Sequence, residues 1–151
     1  MTSERNDTIA AVATGTGGAV ALIRISGERA VPIGDVLFRN IQGKPLSTQK
    51  GYTIHYGTIR DGETVIDEVL VSLFRAPHSY TGEDMIEISC HASDYILRRV
   101  MELAIRHGAR TARPGEFTLR AFLAGKMDLS QAEAVADGSD VARTVCVWPA
   151  D

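Results

Sequence analysis

Apolar residues recur along this chain with two different periods, and the changes of period mark out its elements. Thr8–Thr14 is small, apolar and partly β-branched, and reads as a strand. Ala19–Ser26 is a near-continuous apolar run interrupted only by Arg24; such a run predicts a strand buried on both faces. Between them, Thr14–Gly18 is a glycine-rich loop. Gly27–Leu37 reads as a helix started by Ser26, with Pro32 tolerable only near its first turn. Asn40–Gly51 is polar and reads as a loop. Tyr52–Ile59 and Val65–Phe74 flank Arg60-Asp61-Gly62-Glu63, and the Asp-Gly pair predicts a tight hairpin. Arg75–Asp84 holds Pro77, Ser79 and Gly82 and reads as a loop. Met85–His91 alternates, sending Ile86, Ile88 and Cys90 one way and Glu87, Ser89 and His91 the other.

The later half switches to the helical period. Ser93 is placed to cap a helix through Arg106, with Ile96, Leu97, Val100, Met101, Ala104 and Ile105 as its apolar stripe and Gly108 as its stop. Pro114 suits a first helical position, so Gly115–Ala124 reads as a short helix ended by Gly125. Ser130-Gln131-Ala132-Glu133 is a capping box that opens a further helix to about Asp137. About five strands and three or four helices result, an α+β arrangement of a mixed sheet with flanking helices.

Composition narrows the function classes. The chain has 151 residues, enough for one domain with its own core, and 44% of them are hydrophobic. The formal net charge of −3 argues against a dominant phosphate-binding surface. Cys90 and Cys146 form no CxxC pair and suggest reduced thiols. The start of the chain lacks the apolar core of a signal peptide, and no stretch approaches the ~20 apolar residues of a membrane helix. The expectation is a soluble, cytoplasmic protein without a membrane role.

Several chemistries lack their residues. Gly125-Lys126 is followed by Met127, so it is not the end of a GxxxxGK[ST] phosphate loop. The Thr14–Gly18 glycines precede a strand and lack the third glycine of a dinucleotide fingerprint. The four histidines have no i,i+3 or i,i+4 partner for zinc. Cys90, on an apolar strand face, reads as buried and inert. Three charges stand in unexpected places. Arg24 interrupts an apolar strand: either it snorkels from an edge, or it is a forked donor for an anion or a carbonyl-rich ring. Glu87 sits between Ile86 and Ile88: either it faces solvent, or it points into a pocket as a two-oxygen acceptor for a ring edge with parallel N–H donors. Lys126 follows a helix-stopping glycine: either it is a surface lysine at a helix C-terminus, or it awaits a ligand carboxylate.

Four stretches carry a family resemblance: Asp7–Thr14, Ile23–Gly27, Ala76–His91 and Pro114–Asp137. Together they resemble the N-terminal domain of the MnmE/TrmE family of tRNA-modification GTPases, with Gly125–Asp137 most similar to its Bacteroidetes-like branch. The resemblance implies a domain over 1–137 with a fold like the folate-binding aminomethyltransferase of the glycine cleavage system. Residues 138–151 would then be a truncated or aberrant, poorly ordered tail. It implies binding of 5-formyltetrahydrofolate, homodimerisation, and a parent enzyme that modifies the wobble uridine of tRNA with a flavin-dependent partner (MnmG/GidA). GTP, Mg and K would belong to a GTPase domain that this chain lacks, together with the C-terminal Cys-x-Gly-Lys motif. The family's folate contacts carry over to Arg24, Glu87 and Lys126, with no catalytic residue and no metal ligand. The chain departs from the family at Ala92, at Ala124 and in its shorter glycine loop. The alternatives are an assembly-only module and a stand-alone folate-dependent aminomethyltransferase.

Overall fold

The computed structural model describes residues 7–13 and 18–126. The helix expected from Ser130, the 138–151 tail and most of the glycine loop lie outside the described residues. Among them, seven strands form one sheet: β1 (Ile9–Val12), β2 (Val20–Ser26), β3 (Phe38–Asn40), β4 (Thr53–Asp61), β5 (Thr64–Phe74), β6 (Met85–His91) and β7 (Arg110–Thr111). The order across the sheet is β3-β4-β5-β6-β2-β1-β7. Every pairing is antiparallel except β1 with β7, so the sheet is mixed. Three α-helices accompany it among the described residues: α1 (Ala30–Leu37), α2 (Asp94–Arg106) and α3 (Glu116–Leu123).

The alternation of side chains separates the two faces of the sheet. Ala10, Val12, Ile23, Ile25, Val69, Val71, Leu73, Ile86, Ile88 and Cys90 point to one face and pack there with α1 and α2. Gly34, within α1, suits this contact. A Cβ on it would stand 2.7 Å from Leu46 Cδ1 and 3.0 Å from Ile86 Cδ1, so a side chain there would force those two core side chains to shift. The helix accepts Pro32 because it is the third residue, where the N–H has no intrahelical partner. Among the described residues, the opposite face is covered by α3, which lays Phe117 on Ile9, Ala11 and Ala112, and by the 75–84 segment beside it.

Several expectations change in detail. β2 is not buried on both faces: Val20 is exposed and Leu22 half-buried, because no described element covers that part of the sheet. α1 begins at Ala30, and Ser26 is not its cap but a strand residue whose hydroxyl bonds the 75–84 segment. α3 begins at Glu116 after a left-handed Gly115, two residues past Pro114. The polar 40–51 stretch contains the end of β3 and a short 3₁₀ turn, Leu46–Thr48, whose Leu46 is buried under α1. Ile105 is exposed, and Leu103 takes its place in the core. The Ser93 cap forms as expected, its hydroxyl accepting from the Ile96 amide at 3.3 Å.

Candidate functional site

Strand register brings two of the three misplaced charges together. β2 lies inside the sheet between β6 and β1, and Arg24 stands directly across from Glu87. Arg24 Nε donates to Glu87 Oε2 at 2.9 Å, with side-chain exposures of 13% and 17%. Opposite charges facing each other on neighbouring strands stabilise the pairing, and shielding from water strengthens the charge-assisted hydrogen bond. Among the described residues no hydrogen bond engages Glu87 Oε1. On its other side Glu87 is flanked by Ser72 of β5.

The pair occupies a boundary. Toward the start of β6, the 75–84 segment and α3 roof the sheet and bury Met85, Ser26 and Thr81. Toward the end of β6, Leu22, Ser89 and Leu70 form a row across three strands, and Leu70 is exposed. The roof presents aromatic rings to the guanidinium: Arg24 Cζ lies 5.2 Å from the Tyr80 ring centre and 5.4 Å from that of Phe117. Contacts of this kind hold a cation over the electron-rich face of a ring. Tyr80 is tied in turn to α3 by its hydroxyl, 3.1 Å from Thr118 Oγ1.

Lys126 is brought to the same roof but not into contact with the pair. It is exposed, its amide closes the end of α3 on the Ala121 carbonyl at 2.8 Å, and among the described residues it forms no ion pair. A Cβ on Gly82, which has φ +82°, would stand 2.8 Å from Ala124 Cβ and 3.8 Å from Lys126 Cε, so this glycine lets the 75–84 segment lie close against the end of α3. The three positions are a paired carboxylate and guanidinium at the lip of the roof, and an exposed ammonium just past the end of α3 with no described contact to the pair.

Behind this lip lies a buried charge network that the sequence reading missed. Arg120 is 4% exposed. Its Nη1 donates to both Glu83 oxygens at 3.0 Å and to the Asp7 carbonyl at 2.7 Å. Glu116 accepts from Arg110 at 2.8 Å and from the Arg113 amide at 2.8 Å. Burial alone would raise the Glu116 carboxyl, but the bonds from Arg110 and the Arg113 amide outweigh it and hold it below its ordinary value. Spaced i,i+4 on a helix, Glu116 and Arg120 read from sequence as an ordinary surface pair; that they flank the core residue Phe117 was the available signal.

Other candidates resolve simply. Cys90 is buried against the helices as expected, and burial pushes its thiol up to about 12, which disfavours the thiolate. No cluster of potential metal ligands occurs among the described residues. A surface recess lined by Asp7, Thr8, Glu28, Arg29, Gly108 and Arg110 contains none of the three site residues. Its arginines serve the framework: Arg29 donates to the His107 carbonyl at the end of α2, and Arg110 pairs with Asp7 and Glu116. No described helix is long and apolar enough to cross a membrane.

Comparison with known proteins adds identity to this geometry. The family described as GTP-binding protein TrmE N-terminus matches residues 8–126, the stretch that holds the sheet, the Arg24–Glu87 pair and Lys126. A tRNA modification GTPase MnmE of Bacteroides thetaiotaomicron is 64% identical over 132 residues, covering 87% of this chain and 28% of that protein. Proteins of the same name from Flavobacterium johnsoniae and Bacillus velezensis are 59% and 54% identical, again over 87% of this chain and 28% and 29% of their own lengths. The chain thus spans less than a third of these curated relatives. A match that runs through every described strand and helix places the chain in a family: it belongs to the GTP-binding protein TrmE N-terminal domains.

Proposed function

We propose that this chain is the folate-binding, dimerising N-terminal domain (residues 1–137) of a GTPase that modifies the wobble uridine of tRNA, and that 138–151 is a separate tail. The fold is proposed to be of the folate-binding aminomethyltransferase type. The observation that carries the ligand reading is the part-buried Arg24–Glu87 pair at the edge of the roofed part of the sheet. Glu87 accepts the N–H donors of the pterin edge of 5-formyltetrahydrofolate through the oxygen that Arg24 does not hold. Arg24 donates to ring carbonyl or formyl oxygen, and Lys126 past the end of α3 takes an acidic group of the tail. When bound, the folate supplies a one-carbon unit; the domain holds and orients it.

The dimer reading is supported by the unroofed sheet face, where Ile54, Tyr56 and Leu70 are exposed on adjacent strands. The 151 residues contain no phosphate-loop sequence. GTP, Mg and K are therefore assigned to another part of the parent protein, as are the contacts with tRNA and the flavin-dependent partner (MnmG/GidA).

Titration calorimetry with 5-formyltetrahydrofolate tests the reading. Wild-type chain should bind, and Glu87→Ala should weaken binding tenfold or more, since a lost charged hydrogen bond costs about 1.5–3 kcal/mol. A loss below threefold removes Glu87 from the site. A dimeric wild-type sample that takes up no folate favours an assembly-only module. Turnover with a lipoyl-carrier substrate would favour a stand-alone aminomethyltransferase.

A further inference from the structure

We infer that the Glu83–Arg120 ion pair, its guanidinium buried, is the positioning element of this site, setting the two aromatic rings that orient Arg24 toward Glu87. The inference rests on the folate reading for its binding test, and on geometry alone for its spectroscopic test.

One guanidinium joins three parts of the chain that are far apart in sequence. Arg120, on α3, holds Glu83 of the 75–84 segment and the Asp7 carbonyl ahead of β1. Its Nη2 also lies 3.6 Å from Glu116 Oε2. Glu83 is held from a second side by the Ser26 hydroxyl at 2.7 Å, at the end of the strand that carries Arg24. Ser26 Oγ is itself 2.7 Å from Thr81 Oγ1, which is buried. The roof is thus fastened to β2 and to α3 by the same carboxylate.

Net stability is a poor account of this arrangement. Burying charges costs desolvation that their attraction only offsets, and apolar residues of similar volume often do as well. What apolar packing would not supply is direction, because hydrogen bonds to a guanidinium fork fix angle as well as distance. The fixed direction is the one the site needs. Tyr80 lies three residues before Glu83, and Phe117 lies three residues before Arg120, one turn earlier on α3. Both rings meet Arg24. Arg24 has a long, flexible stem, and the Tyr80 and Phe117 rings restrict the plane of its guanidinium beside the bond to Glu87. Glu83 and Arg120 touch neither Arg24 nor Glu87 through any described bond, so they act through Tyr80 and Phe117.

The experiment follows the Arg24 Nε–H proton of the full chain by ¹H–¹⁵N correlation spectroscopy. Ring currents from Tyr80 and Phe117 displace this resonance, and Tyr80→Leu marks its position with one ring removed. Glu83→Gln and Arg120→Lys keep size while weakening the ion pair. Both should move the resonance toward the Tyr80→Leu position and weaken 5-formyltetrahydrofolate about tenfold, or about 1.4 kcal/mol. Asp61→Asn is the control: it removes the Arg99–Asp61 pair at the hairpin tip and should leave the resonance in place whatever stability it costs. Where the charge-altering variants fail to fold, Ser26→Ala removes one hydrogen bond from Glu83 and should give a smaller shift of the same sign. An unmoved resonance in any folded variant of the pair overturns the inference, as does unchanged folate affinity when wild type binds. If wild type binds no folate, the folate reading fails, and the resonance still decides the positioning role.

Discussion

The two faces of this sheet are stabilised by different means. On the face toward α1 and α2, Ile23, Ile25, Ile86 and Ile88 lie side by side with no charged neighbour between them, and burial of apolar area supplies the attraction. On the other face the same strands carry Arg24 and Glu87. The cover there is α3 and the 75–84 segment, held by Glu83, Arg120, Glu116 and Arg110 as much as by Phe117. Apolar contact is non-directional and tolerates small shifts; hydrogen-bonded charges do not. The helix-covered face therefore supplies most of the apolar stabilisation, and the charged face fixes the geometry of one edge of the domain.

The comparison can be broken most sharply at Arg120. Arg120→Met leaves Glu83 without its guanidinium partner, while Glu116 keeps Arg110, and should cost about 3–5 kcal/mol, whereas Glu83→Met/Arg120→Met together should cost clearly less. Urea unfolding measures both. A single variant as stable as wild type would mean that the network is ornamental to folding. On the helix face, Ile86→Ala should cost about 2–4 kcal/mol by transfer and cavity terms, while Ile54→Ala on the unroofed face should stay within about 0.5 kcal/mol. Equal costs at the two positions would show that a cover over Ile54 exists in solution.

The smallest effect is the pH response of Glu116. Its folded carboxyl titrates below the ordinary value of 4.5, so its ionised form contributes stability that is full above pH 4.5. That contribution is lost as pH falls through the folded value. Glu116→Gln should lower stability at neutral pH, and the gap to wild type should narrow on acidification below 4.5. Denaturant midpoints followed from pH 7 downward test this, and a gap that widens in acid would contradict the assigned partners.

Much of the helix-covered face was legible in advance. The alternation in Met85–His91 placed Ile86, Ile88 and Cys90 inward, the Ser93 cap and the α2 stripe held apart from Ile105, and the Asp61-Gly62 turn joins β4 to β5. Elements of two or three residues, such as β3 and β7, were not visible because so few positions carry no period. Arg24 and Glu87 stood out singly, as charges inside apolar strands. That they face each other depends on the register between β2 and β6, which the 58 residues from Gly27 to Asp84, α1 and the β4–β5 hairpin among them, leave open.

What the chain's letters determined on their own is therefore local: period, caps, turns, and the two strand charges that violate their surroundings. The family followed from them too, because long motifs are compared letter by letter. Only the tertiary structure decided which charges meet. It paired Arg24 with Glu87, left Lys126 exposed past the end of α3, and drew Glu83, Arg120 and Glu116 out of what reads as surface into a buried network. The physical reason is range. Backbone preference and side-chain period act over a few residues, whereas a hydrogen-bonded ion pair requires ångström-level placement of segments that only the finished sheet brings together.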